Sequence, residues 1–181
     1  MPSVSFVITV FNKSKFLKPV IKSLKSQKGK FQKEYIFIDD GSTDGSYKIL
    51  KNETKGLKNC QIYKQENKGS ANATNQGIKI AKMKYIKFLD ADDVILSHTT
   101  KLLIDILEKN SNCILAYGLQ RKVRNIGNVD LNEKIDNCRI ELIKNPIKLA
   151  MRNSMFNPSQ FLVKTDICKK VGGCDERIKF S

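Results

Sequence analysis

The sequence predicts one α/β domain with a Rossmann-like, mainly parallel central sheet flanked by helices. Apolar runs rich in β-branched and aromatic residues alternate with segments in which apolar residues recur at helical spacing. The chain of 181 residues is long enough for a domain with its own hydrophobic core, so residues 1–181 are interpreted as one domain. Two of the apolar runs end in groups of aspartates, and parallel sheets bind ligands at the carboxyl ends of their strands.

The first half of the chain predicts four strands joined by helices. The strands are short segments enriched in β-branched and aromatic residues, at 4–11, 34–38, 60–64 and 85–89. The connecting helices show apolar residues at intervals of three and four, over 16–24, through Tyr47 to Leu50, and over 70–82. Pro19 lies early in the first of these helices, where a proline is best tolerated.

The second half predicts a less regular continuation of the same pattern. A helix is expected over 99–109, and the run CILAY at 113–117 predicts a fifth strand. Residues 120–138 are polar and irregular. A helix near 145–152, a strand near 160–164 and a short helix near 165–171 complete the predicted order.

Aspartates cluster directly after two of the predicted strands. Asp39 and Asp40 follow the strand at 34–38, and Asp90, Asp92 and Asp93 follow the strand at 85–89. Crowded carboxylates repel one another unless a cation neutralises them, and Mg²⁺ or Mn²⁺ binds one or two protein carboxylates together with water and phosphate oxygens. A nucleoside diphosphate bound through a metal ion fits this pattern.

The same residue types have an ordinary structural explanation. Asp, Gly and Ser favour turns, and Ser42, Thr43 or Asp44 could cap the helix that follows. The occurrence of acidic groups at two strand ends in one alternating chain favours the ligand-binding interpretation.

The charge of the chain is strongly positive. It has 33 Lys and Arg residues against 18 acidic ones, a net charge of +15. Nucleic acid and the anionic face of a membrane are both possible partners of such a chain, and lysine can also serve only to solvate the surface. The lysines are spread along the chain without an Arg-rich run, so we expect no nucleic-acid partner and leave peripheral membrane association open.

The five cysteines indicate a reducing compartment. Their number is odd and no C-x-x-C pair occurs, so a disulfide framework and a zinc site are not expected. The first residues resemble no signal peptide, and no run approaches the roughly 20 apolar residues of a membrane span. We expect a cytoplasmic protein, with possible peripheral association at the cytoplasmic face of the membrane.

Five motifs together resemble the family 2 glycosyltransferases of the GT-A fold. In chain order they are VSFVITVFN, EYIFIDDGSTDGS, NKGSANATNQGI, YIKFLDADD and VGGCDE. Their order and spacing match the family from residue 4 to the end of the chain. The resemblance implies the part of a GT-A glycosyltransferase that binds the nucleotide sugar.

The resemblance assigns a nucleotide-binding role to six residues. They are Thr9, Phe11, Asn12, Asp40, Lys68 and Asp90. The end of the first strand would lie against uracil with Phe11 in the aromatic position, Asp40 would accept a hydrogen bond from the base, and Asp90 would lie near the ribose. Lys68 is the candidate replacement for an arginine that many members carry where this chain has Thr74.

Asp92, the last residue of the Asp-x-Asp triplet, would bind Mn²⁺ or Mg²⁺ on the diphosphate. Members of the inverting kind use a carboxylate base to deprotonate the acceptor, while the metal stabilises the departing diphosphate. That base is expected beyond Ser181, because the acidic motif that supplies it follows the Gly-Gly-x-Asp-Glu segment in the family. Asp175 and Glu176 are interpreted as structural or acceptor-contacting residues, and His98 as a residue at a helix start.

The resemblance therefore implies transfer of a sugar from a nucleoside-diphosphate sugar, favouring UDP, to a saccharide or lipid-linked acceptor in cell-surface polysaccharide synthesis. An alternative is a nucleotide-binding module without turnover that acts with a partner chain. A receiver-type phosphorylation domain also clusters aspartates at strand ends, but the strand at 113–117 lacks the aspartate it would need.

Overall fold

The computed structural model describes residues 1–134, 139–144 and 157–177. The helix predicted near 145–152 lies outside these residues, as does Cys138. The four remaining cysteines are free thiols: Cys60, Cys113, Cys168 and Cys174.

A six-stranded sheet forms the centre of the domain. Its strands are β1 (Ser3–Val10), β2 (Gln32–Asp40), β3 (Cys60–Gln65), β4 (Tyr85–Asp90), β5 (Leu115–Tyr117) and β6 (Phe161–Lys164). They are arranged in the order β3-β2-β1-β4-β6-β5. The pairs among β3, β2, β1 and β4 are all parallel, which confirms the predicted mainly parallel sheet.

Five helices accompany the sheet in the described part of the chain. They are α1 (Leu17–Lys25), α2 (Ser46–Glu53), α3 (Ser70–Ile80), α4 (Thr99–Lys109) and α5 (Thr165–Val171). Single 3₁₀ turns occur at Ile126–Asn128 and Pro158–Gln160. Within the described residues, no helix combines the length and the hydrophobicity that crossing a bilayer requires.

The helices cover the sheet on both faces. Apolar side chains of α1, α2 and α4 pack with Phe6 and Ile8 of β1 in one core, whereas α3 packs with Val7 in a second core on the other face. Strand β1 is therefore buried on both faces, which explains its continuous apolar sequence. Helix α3 approaches β1 closely at Gly77, where a Cβ atom would come within 2.2 Å of Val7 Cγ1.

The position of β6 was not predicted. It inserts between β4 and β5 and pairs antiparallel with both. The β5–β6 pair continues beyond its last strand residues: Gly118 N donates to Gln160 O at 3.1 Å, and Gln160 Nε2 donates to Gly118 O at 3.1 Å. The chain thus leaves and rejoins the sheet at adjacent points, and β6 places the turn that precedes it beside the end of β4.

Candidate nucleotide and metal site

The carboxyl ends of three parallel strands meet at one edge of the sheet. Thr9 of β1 lies in register with Ile38 of β2 on one side and with Asp90 of β4 on the other. Because the chain proceeds from β1 outward to β2 on one side and later adds β4 on the other, this edge contains the switch in strand order. Crevices at such switch points are where open α/β sheets bind ligands.

The loops after β1 and β2 are hydrogen-bonded to each other. Asn12, in a left-handed conformation with φ of 52°, donates its backbone N–H to Ser42 Oγ at 3.0 Å. Its side-chain Oδ1 accepts from Thr43 N at 2.9 Å. The Asn12 side chain, expected to contact nucleotide, therefore connects the two loops in this structure.

A second set of contacts continues this connection. Lys13 N donates to Ser46 Oγ at 3.0 Å, and Ser14 N donates to Asp44 Oδ2 at 2.9 Å. Ser46 also donates through Oγ to Asp44 Oδ1 at 2.6 Å. Although burial acts in the opposite direction, the hydrogen bonds from Ser46 and Ser14 hold the pKa of Asp44 well below its usual range. Three side chains of the loop after β2 thus accept hydrogen bonds from the backbone of residues 12–14.

Asp40 is buried, and its carboxylate accepts three hydrogen bonds from the chain itself. Its Oδ1 accepts from Gln65 Nε2 at 2.8 Å and from Lys68 N at 2.9 Å, and its Oδ2 accepts from Gly69 N at 2.9 Å. This carboxylate holds the turn that precedes α3. The structure therefore gives Asp40 different partners from the nucleotide base assigned to it by the family resemblance.

Asp39 has an unused acceptor. The residue is completely buried, and its Oδ1 accepts from Ser42 N at 3.1 Å. Its Oδ2 is buried and makes no hydrogen bond with any described residue. A buried carboxylate oxygen without a donor is costly, so an N–H group that reached this atom would be stabilised.

The loop after β4 concentrates negative charge. Burial and, after it, the negative charges of Asp93 and Asp92 together raise the pKa of Asp90 to about 6, while Lys13 and a hydrogen bond from Ser159 act against the shift. The backbone N–H of Asp90 donates to Ser159 Oγ at 2.9 Å. Ser159 precedes β6. Its hydrogen bond with Asp90 could not be predicted, because the antiparallel insertion of β6 beside β4 was not predicted.

Asp92 is a partly exposed carboxylate of this loop and forms an ion pair with Lys13. The side chains of Lys13 and Asp92 are 37% and 39% exposed, so a ligand can reach both. No group of three or more potential metal-binding side chains is gathered among the described residues. One accessible carboxylate beside two further acidic residues nevertheless fits Mg²⁺ or Mn²⁺, which take most of their ligands from water and phosphate.

Lys87 is a buried cation that sequence reasoning missed. It lies within β4 with no exposed surface, and its Nζ donates to the Ser159 carbonyl oxygen. Burial lowers its pKa to about 7, although Asp93 and Asp90 favour the charged form. The available signal was a lysine in the middle of an apolar strand that runs into an acidic loop.

The remaining expected residues border the crevice. Thr9 is partly buried at the end of β1, and the ring of Phe11 just beyond it is 45% exposed. Lys68 is exposed. Hydrogen bonds from Asn72 and Asn75 lower the pKa of Glu176, and the charge of Lys68 adds to this effect. His98 immediately precedes α4, at the expected helix start.

The Gly-Gly-Cys-Asp-Glu segment is attached to α3. Asn72 and Asn75 donate to the two carboxylate oxygens of Glu176 at 2.9 and 2.8 Å. Gln65 donates to Asn72 Oδ1 at 3.0 Å as well as to Asp40. A continuous set of polar contacts therefore connects the end of β2 with residue 176.

Comparison with known proteins identifies the family. The chain matches glycosyl transferase family 2 over residues 5–172. It is 29% identical over 185 aligned residues to an uncharacterised glycosyltransferase of Rickettsia prowazekii, covering 99% of this chain and 56% of the relative. It is also 32% identical over 157 residues to the poly(ribitol-phosphate) β-N-acetylglucosaminyltransferase TarP of Staphylococcus aureus, covering 83% of this chain and 47% of TarP. The chain thus spans about half the length of these relatives.

Solved structures share the fold. Residues 1–349 of S. aureus TarS in complex with UDP superpose with a TM-score of 0.75 at 18% identity, covering 100% of this chain and 52% of that TarS fragment. The mannosyltransferase PcManGT of Pyrobaculum calidifontis, in complex with GDP-mannose and Mn²⁺, gives a TM-score of 0.72 at 14% identity, covering 97% of this chain and 48% of that one. These likenesses confirm the predicted GT-A fold. With the family match over residues 5–172, they establish that the chain belongs to glycosyl transferase family 2.

Proposed function

We propose that the chain binds a UDP-sugar in the crevice between β1, β2 and β4 and takes part in transferring the sugar to a saccharide or lipid-linked acceptor. Two of the relatives that it resembles are named for polymers: TarP for poly(ribitol-phosphate), and the synthase of Staphylococcus epidermidis for poly-β-1,6-N-acetyl-D-glucosamine. TarS is named in complex with UDP. These names support a donor and an acceptor of the same classes, used in cell-surface polysaccharide synthesis.

The buried Asp39 Oδ2 is the observation that carries the proposal. Uracil presents an N–H donor at ring position 3, and a charge-assisted hydrogen bond to a carboxylate satisfies both groups. Asp39 thereby takes the role that the family resemblance gave to Asp40, because Asp40 already holds Gln65, Lys68 and Gly69. The exposed ring of Phe11 is placed to stack on the base, and Thr9 lies between the two acidic strand ends.

The diphosphate is proposed to lie over the loop after β4. Asp92 would hold Mn²⁺ or Mg²⁺ there, and such an ion would neutralise the diphosphate as it leaves. Asp90 would lie near the ribose, held in place by its backbone hydrogen bond to Ser159. Lys68 would supply a further positive charge from the turn before α3. The expected reaction is a direct displacement at the sugar carbon with inversion of configuration.

Calorimetry with UDP and CDP tests the proposal. The two nucleotides differ at the base edge that Asp39 would contact, because ring position 3 is a donor in uracil and an acceptor in cytosine. In the presence of Mn²⁺, UDP should bind at least about tenfold more tightly than CDP, since a buried carboxylate left without a donor costs 1.5 kcal/mol or more. Equal affinities for UDP and CDP would contradict the assignment of Asp39 to the base.

A separate measurement tests the metal. UDP affinity should fall about tenfold or more when a chelator removes the divalent ion. If the chain prefers UDP to CDP but binds UDP equally well with and without metal, the nucleotide site stands and the metal role of Asp92 fails.

A further inference from the structure

We propose that Lys13 is an internal competitor of the metal ion: its ammonium group holds Asp92 when no metal is bound, is displaced by the divalent ion, and then binds the diphosphate. This inference rests on the proposed role of Asp92 as the metal ligand. Under this proposal the Lys13 side chain lowers the affinity of the chain for the metal ion alone and raises its affinity for the metal–nucleotide complex.

The backbone of Lys13 is held by hydrogen bonds, whereas its partly exposed side chain is held by the ion pair with Asp92 and lies 5.8 Å from the centroid of the Phe16 ring. Its N–H is held by Ser46 Oγ at 3.0 Å, and its neighbours Asn12 and Ser14 are held by Ser42 and Asp44. The side chain reaches from the loop after β1 to the loop after β4 and is 37% exposed. A flexible lysine on a fixed backbone can exchange one nearby anion for another without a change in the fold.

The charges around Asp92 favour a cation at this position. Asp90, Asp92 and Asp93 lie on one turn, with Asp93 N donating to Asp90 O at 3.0 Å. The buried Lys87 is bound to the Ser159 carbonyl oxygen and cannot take over this position.

Lys13 and a divalent ion cannot occupy the same carboxylate oxygen. The ammonium donates to Asp92 Oδ2, which is an atom that a metal ion would need. Once the ion binds, its double positive charge repels the ammonium, and the donor diphosphate offers several negatively charged oxygens nearby. Lysine binds phosphate as a point charge, so the released side chain is suited to this second partner.

Binding of Mn²⁺ alone, measured by electron paramagnetic resonance of the free ion, gives the first test. Breaking a partly exposed ion pair of this kind corresponds to about two- to fivefold in affinity. Lys13→Met should therefore bind Mn²⁺ about two- to fivefold more tightly than the wild-type chain. Asp92→Asn should bind it much more weakly.

UDP binding at saturating Mn²⁺ gives the second test. Here Lys13→Met should weaken UDP binding by about five- to tenfold, because a charge-assisted contact to phosphate is lost. Lys13→Arg keeps the charge and should restore most of the UDP affinity. A side chain with only a structural role would not move the two affinities in opposite directions.

Lys101→Met is the matched control. Lys101 pairs with Asp105 on α4, and the two side chains are 37% and 44% exposed, nearly the same as the Lys13–Asp92 pair. This variant removes the same charge and an equally exposed ion pair away from the crevice, so both affinities should stay at the wild-type level.

The outcomes separate this inference from the proposed function. If Asp92→Asn weakens Mn²⁺ binding but Lys13→Met leaves it unchanged or weakens it, the metal site stands and the competition is refuted. If Lys13→Met leaves UDP affinity unchanged, the second role of Lys13 is refuted. If Asp92→Asn binds Mn²⁺ normally, the metal assignment fails and this inference fails with it.

Discussion

Replacing Asp39 and Asp40 in turn by asparagine should separate nucleotide recognition from stability. The two residues are adjacent, both are buried at the end of β2, and each substitution keeps the size of the side chain while removing its charge. They differ in their hydrogen bonds. Asp40 accepts from three donors, whereas Asp39 Oδ2 accepts from none of the described residues.

Asp40→Asn should mainly destabilise the fold. An asparagine can keep an oxygen at the Oδ1 position, but its NH₂ group then faces the N–H of Gly69 at the Oδ2 position, so one charge-assisted bond is lost and a buried donor is left without a partner. The expected cost is roughly 2–4 kcal/mol of unfolding free energy. For a chain of this size that corresponds to a fall in Tm of roughly 6–12 °C, at about 3 °C per kcal/mol.

Asp39→Asn should mainly weaken nucleotide binding. The new oxygen can still accept from Ser42 N, and the NH₂ group replaces an oxygen that has no donor, so Tm should not fall. Against uracil, however, the NH₂ group presents a donor to a donor. UDP affinity should fall roughly 10- to 150-fold, equivalent to about 1.5–3 kcal/mol, and the preference for UDP over CDP should largely disappear.

Thermal unfolding followed by circular dichroism and calorimetric titration with UDP and CDP measure both effects on each variant. The reasoning is refuted if Asp39→Asn binds UDP normally. It is also refuted if Asp40→Asn keeps the wild-type Tm and loses UDP binding, which would return the base contact to Asp40 as the family resemblance assigned it.

Three further predictions concern the acidic loop, the buried lysine and the helix contact. Asp92→Asn should weaken Mn²⁺-dependent UDP binding more than Asp93→Asn does, because Asp92 is the residue proposed to hold the metal ion. Calorimetry with and without chelator checks this, and the reverse order would shift the metal contact to Asp93. Lys87→Met should flatten the pH dependence of stability between about pH 7 and pH 9. The pKa of Lys87 is about 7 in the folded chain and 10.5 in the unfolded chain, so in this window the unfolded chain binds more protons. The stability of the wild-type chain therefore rises with pH, by up to about 1.4 kcal/mol per pH unit. Equal pH slopes of Tm in the two proteins would contradict this. Gly77→Ala should lower unfolding free energy by about 1–3 kcal/mol through overpacking against Val7, despite a gain of about 1 kcal/mol in helix propensity. Denaturant unfolding measures the loss, and adding Val7→Ala should cost less in this background than in the wild-type chain.

Much of the fold could be predicted because periodicity and strand composition are local properties. The apolar run at 4–11 and the helical spacing at 99–109 gave elements close to β1 and α4. The antiparallel insertion of β6 depends on which strands become neighbours after a long excursion of the chain. Tertiary packing determines which strands pair, and the local composition of residues 160–164 does not indicate the pairing.

The candidate site was predicted at the level of its loops but not of its individual contacts. Both acidic loops lie at the ends of the strands that flank β1, since strand ends in a parallel sheet share one edge. The hydrogen bonds that Asp40 accepts from Lys68 and Gly69 depend on where the turn before α3 folds back. Spacing along the chain cannot show that, and the same holds for the approach of Lys13 to Asp92.

The paired ends of β5 and β6 have a consequence for how such a chain can diversify. Tyr117 and Phe161 are neighbours in the sheet, and Gly118 and Gln160 close the pair with two hydrogen bonds. Residues inserted in or removed from the connecting segment therefore need not shift β1, β2 or β4. Doubling the length of a flexible loop costs only about 0.6 kcal/mol in closure entropy. Changes in the length of this excursion are accordingly expected to leave the ends of β1, β2 and β4 in register.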